Sequence, residues 1–135
     1  RAPCCWVGLL PHRLHSGDVP DQTLKTAVRE AALVGLGAAL GVAVRYGVTV
    51  AAPDGGFAVT LAVNIVGCFA MGALKPGPAA GTGFLGGFTT FSAMTVAAVQ
   101  TTALGALAVV VLSFVGCVGA WLAGDALASR RSASA

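Results

Sequence analysis

A ten-residue stretch at positions 83–92 combines side chains that could bind an ion within an otherwise apolar run. It reads GFLGGFTTFS, with three glycines that loosen a helix, three hydroxyl side chains and three aromatic rings. At membrane depth, non-helical backbone is tolerated only where protein buries it or where it lines a watery cavity. The polar cluster after the glycines favours a site for an ion or a small solute. A tight helix-packing face is the alternative, because Gly83 and Gly87 form a GxxxG pair.

A single amide, Asn64, lies in the middle of another apolar segment. Thr60, Asn64, Gly67 and Met71 are spaced so that they share one helical face. A buried amide must find partners, and its NH2 group can donate two hydrogen bonds to an anion. An interhelical hydrogen bond that only holds helices together, worth about 0.6 kcal/mol, is the alternative. The amide by itself leaves both interpretations open.

One cationic side chain and two aromatic rings could also attract or contact an anion. Arg45 lies late in the first apolar segment, where it either snorkels to the surface or places a positive charge in a vestibule that draws anions inward. Phe88 and Phe91 are three residues apart beside Ser92, and the positive edge of an aromatic ring can face an anion. A single phenylalanine in a membrane helix is more often a packing or lipid-facing residue.

The composition indicates an integral membrane protein. Of the 135 residues, 56% are hydrophobic and only 10% are charged, against about 25% charged in a soluble domain. Mean hydropathy is +0.85. A net charge of +3 without a basic run gives no reason to expect nucleic acid as a partner. We do not expect an enzyme, since no nucleophile–base pair or metal cluster can be assembled from these side chains.

The chain divides into four apolar segments that are long enough to span a bilayer. Residues 76–124 contain no charged side chain, and this run is too long for one helix because a span needs only about 20 residues. It divides near residues 100–102. The sequence thus predicts an all-α membrane protein with four transmembrane helices, at about residues 27–50, 57–74, 82–99 and 103–124.

The two ends and the cysteines carry no predicted role. We expect residues 1–26 to be a poorly ordered leader and residues 125–135 to be a polar tail. The leader begins without methionine, and the sequence leaves open whether it is native or artefactual. Cys4 and Cys5 are adjacent in the leader. The thiols at positions 68 and 117 lie in apolar segments, where cysteine is usually an inert packing residue.

The distribution of charge predicts the orientation in the membrane. With four spans, both termini and the loop after the second span share one side. That side carries five basic residues, Lys25, Arg29, Lys75, Arg130 and Arg131, whereas the opposite loops contain Asp54 and no lysine or arginine. The positive-inside bias predicts that both termini are cytoplasmic and that the protein is multi-pass in the cell membrane.

Three segments resemble motifs of the CrcB/Fluc fluoride channels. Residues 37–46, GAALGVAVRY, resemble the family's first-helix pattern, and residues 60–69, TLAVNIVGCF, look like its T-L-x-V-N-x-x-G-x-F motif. Residues 83–92 look like its G-F-x-G-G-x-T-T-F-S motif. The motifs occur in the family's order, and the resemblance covers about residues 30–124.

The resemblance implies a passive channel through which cytoplasmic fluoride leaves the cell. Its subunits have four helices, the third of them broken, and pair as an antiparallel dimer. By correspondence with the motifs, Asn64 is the pore amide, Phe91 the first phenylalanine of an aromatic pair and Ser92 a hydroxyl of a polar track. Arg45 corresponds to the family's first-helix arginine. Phe88 and Thr90 are assigned to the same fluoride pathway.

The resemblance also implies a cation. Gly86 and Thr89 correspond to positions whose backbone carbonyls, from both subunits, hold a central structural Na⁺. Carbonyl oxygens freed at a helix break are hard ligands that suit this ion.

Two departures from the family pattern affect the expected assembly. Ala93 and Met94 replace a Thr-Phe pair, so methionine stands at the second aromatic position of the pathway, and the fourth span has no tyrosine. A self-pairing antiparallel dimer must also insert in both orientations, which disfavours a strong charge bias. We favour an antiparallel heterodimer with an oppositely oriented relative over a homodimer, and part of this subunit's pathway is expected to be degenerate.

Three other functions are alternatives to the channel. A partly degenerate partner subunit with a mainly structural role is one alternative. A small four-helix exporter is another, but proton-coupled exporters of that kind need a carboxylate within the membrane, and this chain places every aspartate and glutamate in the leader or at the ends of spans. A non-conducting assembly protein held by small-residue packing is the third.

Overall fold

The computed structural model describes residues 21–133, and this part of the chain is helical. A 3-10 turn at Pro53–Gly55 links the first two helices, and a π-helical segment, Ala79–Leu85, leads into the third. The α-helices are α1 (Asp21–Ala51), α2 (Gly56–Leu74), α3 (Gly86–Phe88), α4 (Ser92–Val99) and α5 (Ala103–Ala133).

The prediction of an all-α protein with four membrane-spanning helices is confirmed. Within residues 21–133, four helical stretches are long and apolar enough to cross a membrane. They are Thr23–Ala51, Pro53–Leu74, Ala79–Val99 and Ala103–Arg131, hereafter the first to fourth spans.

The second span ends where the sequence indicates. Lys75 adopts a left-handed backbone conformation, with φ of 45°, and its N–H donates to the carbonyl of Met71 at 3.2 Å. Pro76 disfavours helical geometry at the preceding residue, so α2 cannot continue. This left-handed residue closes the helix and turns the chain toward the third span.

The outer helices extend beyond the predicted limits. Residues 21–26, which the sequence analysis assigned to the leader, are helical and form part of α1. Residues 1–20 of the predicted leader lie outside the described residues. Helix α5 continues through most of the predicted polar tail to Ala133. The tail is rich in alanine, and basic side chains in its last turn favour the negative end of the helix dipole.

The third span changes partners along its length. Helix α2 packs along α5, whereas α1 packs along the π-helical segment and α3. Helix α4 packs instead on α5 and α2. The change occurs at residues 89–91, which lie between α3 and α4 and outside both helices.

Glycines bring the backbones of α1 and the third span into contact. A Cβ atom added at Gly41 would strike the carbonyl of Phe84, and one added at Gly87 would strike the carbonyl of Ala38. Gly83 likewise meets the backbone of α1. The packing face considered for Gly83 and Gly87 therefore exists, and it lies beside the polar residues that follow them.

A second glycine contact joins α2 to α5. A Cβ atom at Gly72 would meet the Trp121 carbonyl, and one at Gly124 would meet the Phe69 carbonyl. Close to this contact, Nζ of Lys75 lies 2.7 Å from Oδ1 of Asp125. The ends of the second and fourth spans are therefore on the same side of the bundle.

Large apolar side chains point mostly outward. Among the described residues, the buried apolar core consists of Val63, Leu85 and Met94. Exposed large apolar side chains occur along every span. This distribution suits helices whose outer surfaces contact lipid or another subunit.

Candidate functional site

The amide of Asn64 is bound to the backbone of the third span. Its Nδ2 donates to the Thr90 carbonyl at 2.9 Å, and its Oδ1 accepts from the Thr90 N–H at 2.7 Å. Asn64 is buried, with 8% of its surface exposed. The interhelical hydrogen bond, one of the two interpretations that the sequence leaves open, is thus present, and one amide N–H remains for another acceptor.

This pair of hydrogen bonds explains why the helix stops after Phe88. In a continuous α-helix the Thr90 N–H would donate to the Gly86 carbonyl, four residues earlier. Asn64 takes that hydrogen instead, and Thr89 is extended, with φ of −78° and ψ of 157°. The Gly86 carbonyl therefore lacks the donor that regular helical geometry would supply.

Hydroxyl groups then restart the helix. The Thr90 hydroxyl accepts from the Ala93 N–H at 3.3 Å, as a helix-capping side chain does. Oγ1 of Thr90 also lies 3.2 Å from Oγ of Ser92. Ser92 is exposed and hydrogen-bonds beside the interruption rather than within the cavity described next.

A cavity of about 310 Å³ lies beside Asn64, between α2, the third span and α5. Most of its lining is apolar. Residues from all three spans line it, namely Asn64, Cys68, Thr89, Thr90, Phe91, Met94, Val110, Ser113, Phe114 and Cys117.

Ser113 is a residue of this cavity that the sequence analysis missed. It is 5% exposed, and its Oγ has no hydrogen-bond partner. A buried hydroxyl without a partner is costly, by about 1–3 kcal/mol, so such a group calls for an explanation. The available signal was a lone hydroxyl in an uncharged apolar helix, since polar groups at membrane depth are often functional.

Three of the other predicted pathway residues, Thr90, Phe91 and Met94, line the same cavity as Asn64. Phe91 is 74% exposed, so its ring is accessible from the open side. Met94 is 7% exposed and forms part of the inner wall. The methionine that replaces an expected aromatic ring therefore stands beside the amide and the unpaired hydroxyl.

Phe88 and Arg45 lie elsewhere. The Phe88 ring stacks on Phe84, with centroids 6.2 Å apart, and both line a separate apolar cavity next to α1. Nε of Arg45 donates to the Gly87 carbonyl at 3.5 Å. Within this subunit, neither side chain meets the group around Asn64.

Gly86 and Thr89, the predicted sodium ligands, border a second cavity of about 280 Å³ on the same side of α2. The Thr89 hydroxyl donates to the Leu85 carbonyl at 3.1 Å, and its methyl group fills the space that a side chain at Gly67 would need. The Gly86 carbonyl has lost its helical donor, as described above. A neutral carbonyl oxygen in this condition is a ligand of the kind that hard cations prefer, so the residues fit the predicted ion.

Comparison with known protein families gives one match over most of the chain. Residues 32–125 match the family described as "CrcB-like protein, Camphor Resistance (CrcB)". The matched range includes every residue discussed in this subsection.

Individual relatives match at substantial identity. A protein of Corynebacterium glutamicum named "Fluoride-specific ion channel FluC 1" is 48% identical over 95 residues, which cover 70% of this chain and 90% of the relative. "Fluoride-specific ion channel FluC" of Corynebacterium efficiens is 45% identical over 113 residues, 84% of this chain and 77% of the relative. "Fluoride-specific ion channel FluC 2" of Listeria monocytogenes is 38% identical over 100 residues, 62% and 78% of the two chains. No solved structure matches the chain.

Proposed function

This chain belongs to the CrcB family, and on that premise we propose that it is a subunit of a passive, fluoride-specific channel in the cell membrane. Relatives that are 48% and 45% identical are named as fluoride-specific ion channels. The observation that carries the proposal is the unpaired, buried hydroxyl of Ser113 in the cavity that Asn64 also lines. An anion passing through this cavity would give that hydroxyl the partner it lacks.

The cavity offers neutral donors in place of water. Fluoride is small and strongly hydrated, so a narrow pathway must replace its hydration shell. The free N–H of Asn64 and the Ser113 hydroxyl can donate hydrogen bonds, and the edge of the Phe91 ring carries a partial positive charge. Conduction requires binding that favours entry but still permits exit, which neutral groups allow.

The fixed positive charge of Arg45 lies away from these donors. Arg45 contacts the Gly87 carbonyl on the α1 side of the third span. We place it in a vestibule, where a cation raises the local anion concentration without trapping an ion inside the pathway. Phe88 also lies on the α1 side of the third span, away from Asn64. We therefore propose that Phe88 lines the fluoride pathway only when a second subunit completes the dimer.

The interruption of the third span has two roles in this proposal. It allows the Asn64 amide to be fixed by Thr90, and it frees the Gly86 carbonyl. We propose that the carbonyls of Gly86 and Thr89 hold a structural Na⁺ together with the same groups of a second subunit. When bound, this ion supplies positive charge that holds the interrupted segments together; it takes no part in moving fluoride.

The proposed direction of fluoride movement follows from the orientation of the chain in the membrane and from the fluoride gradient across it. We assign both termini to the cytoplasm because the five basic residues lie at the start of the first span and at the ends of the second and fourth spans, which share one side. The Lys75–Asp125 ion pair supports this grouping. A passive pathway then releases fluoride from a cell that has accumulated it.

We propose that the second subunit is an oppositely oriented relative in an antiparallel dimer. The strong charge bias supports a heterodimer, since one chain with this bias inserts in one orientation. Relatives in other species carry the numbered names FluC 1 and FluC 2, as expected where one organism has two such chains. Met94 lines the cavity at a position where the family motif has an aromatic residue. This supports the alternative in which this subunit's own pathway conducts less fluoride and its role is partly structural.

The decisive experiment measures fluoride efflux from liposomes. Vesicles loaded with fluoride would contain this chain alone, or this chain co-purified with each related chain of its own genome. We expect efflux of fluoride over chloride from the paired protein and little from the single chain. Robust efflux from the single chain would exclude the obligate heterodimer. No efflux from any pairing would contradict the channel itself.

A further inference from the structure

We propose that Cys68 and Cys117 form a two-thiol site for a soft d¹⁰ cation of the class of Cu⁺, Ag⁺ or Hg²⁺. Cys68 lies on α2 and Cys117 on α5, the two helices that pack most extensively in this fold. Both cysteines are free, and both line the same two cavities between these helices. The sequence places them 49 positions apart, so their proximity comes only from the fold.

The thiol pair is accessible from two cavities. Both cysteines line the cavity of about 310 Å³ beside Asn64, and both also line the cavity of about 280 Å³ beside Gly86. Each is half-buried. An ion that enters either cavity can therefore reach both sulfur atoms without separating α2 from α5.

The ligand chemistry selects the class of cation. Thiolates are soft ligands and prefer soft metals. No group of three or more His, Cys, Asp or Glu residues in residues 21–133 could hold a metal, which disfavours zinc and its four ligands. The two sulfur atoms can instead hold a soft cation in two-coordinate geometry. Each thiol loses a proton and forms one metal–sulfur bond, so one bound ion releases two protons and no oxidant or reductant takes part.

A cation at this site would lie beside the proposed anion donors. Asn64 precedes Cys68 by four residues, and Ser113 precedes Cys117 by four, so each cysteine lies one helical turn from a donor on the same face. All four side chains line one cavity. We expect a bound ion to obstruct the pathway; this consequence rests on the proposed function, whereas binding itself does not.

The binding test uses the full chain with Cys4→Ser and Cys5→Ser, so that Cys68 and Cys117 are the only thiols. Hg²⁺ is added as HgCl₂ to purified protein in a chloride solution, because bound chloride prevents hydrolysis of the ion, which would itself release protons. Each thiolate then displaces one chloride, and the released protons are measured at constant pH. We expect one Hg²⁺ per chain and two protons per ion, reversed by dithiothreitol. Cys68→Ser and Cys117→Ser should each release one proton and hold Hg²⁺ about a hundredfold more weakly in competition with glutathione.

Two outcomes would overturn the site. One is a single proton per ion in the parent protein; the other is equal affinity in the parent and both single variants. Helix content and elution volume are measured for every variant. Cys68→Ala and Cys117→Ala replace the serine variants if either serine variant loses helix, so that binding is always compared between folded proteins.

The transport test is kept separate from binding. In liposomes that show fluoride efflux, Hg²⁺ should slow efflux about tenfold or more, and the double variant Cys68→Ser/Cys117→Ser should be insensitive. Equal inhibition of both proteins would contradict a block at this site. If the two-proton binding is observed but untreated vesicles show no efflux, the thiol site stands and the proposed channel function fails.

Discussion

Asn64 holds Thr90 by both of its backbone groups, accepting from the N–H at 2.7 Å and donating to the carbonyl at 2.9 Å. A side chain of the second span thereby replaces a turn of helix in the third. The same amide retains one further N–H, and Asn64 lines the cavity. One residue thus shapes the interruption and contributes to the proposed anion pathway.

Replacing Asn64 should affect both roles. Asn64→Leu removes the bonds to Thr90 and the free donor, and a hydrogen bond to a charged group contributes about 1.5–3 kcal/mol, so we expect fluoride efflux to fall about tenfold or more. Thermal unfolding in detergent should also occur at a lower temperature. An assembly protein without a channel would keep the host's fluoride tolerance unchanged after this substitution, and that result would contradict our interpretation.

Ser113→Ala should separate transport from stability. The Oγ atom has no partner in the subunit, so its removal deletes an unsatisfied buried group and should leave stability unchanged or raise it by about 1 kcal/mol. Efflux should nevertheless fall, because a donor to the anion is lost. Efflux and thermal stability are measured on the same preparation.

Ser129→Ala is the matched control for this variant. The Ser129 hydroxyl is exposed and donates to the Asp125 carbonyl at 2.9 Å, beyond the apolar part of the fourth span. The Ser129→Ala substitution should leave fluoride efflux unchanged. A Ser113→Ala protein with full efflux would remove that hydroxyl from the pathway.

Phe91→Ile should slow transport while the dimer remains assembled. The isoleucine side chain is apolar but lacks the positive ring edge that we assign to the anion. Phe69→Ile is the control, because Phe69 is on α2 and is not part of the cavity lining. Unchanged flux for Phe91→Ile, with elution volume also unchanged, would exclude the ring from the pathway.

A pair of glycine substitutions tests the packing of α1. A methyl group at Gly41 would strike the Phe84 carbonyl, whereas one at Gly47 meets nothing within 4 Å. Overpacking of this kind costs about 1–3 kcal/mol, so Gly41→Ala should lower thermal stability and the yield of folded protein. Gly47→Ala should be neutral or slightly stabilising, since alanine favours helix over glycine. Equal stability of the two variants would contradict the close approach of α1 to the third span.

The sequence was informative where local chemistry decides the structure. Long uncharged runs predict spans, and Lys75 before Pro76 marks the end of α2, which is found at Leu74. The helical stretches outside the apolar runs were harder to predict. Residues 21–26 and 125–133 are helical beyond the apolar runs of the first and fourth spans, and hydropathy is not informative there.

The relations between helices could not be predicted from spacing. Phe88 and Phe91 would lie near each other on an unbroken helix, but the extended Thr89 between them directs the two rings to different cavities. Whether Cys68 and Cys117 line the same cavity depends on how α2 and α5 are rotated about their axes. A single sequence contains no direct record of that rotation.

The small core has a practical consequence for handling the protein. Among the described residues, only Val63, Leu85 and Met94 are buried apolar side chains. Few apolar contacts therefore stabilise a single subunit in a detergent micelle. Extraction by harsh detergents should separate the spans, whereas lipid nanodiscs, which cover the outward-facing leucines and valines, should preserve the arrangement. The choice of solubilising medium will therefore decide whether purified material reports on the native molecule.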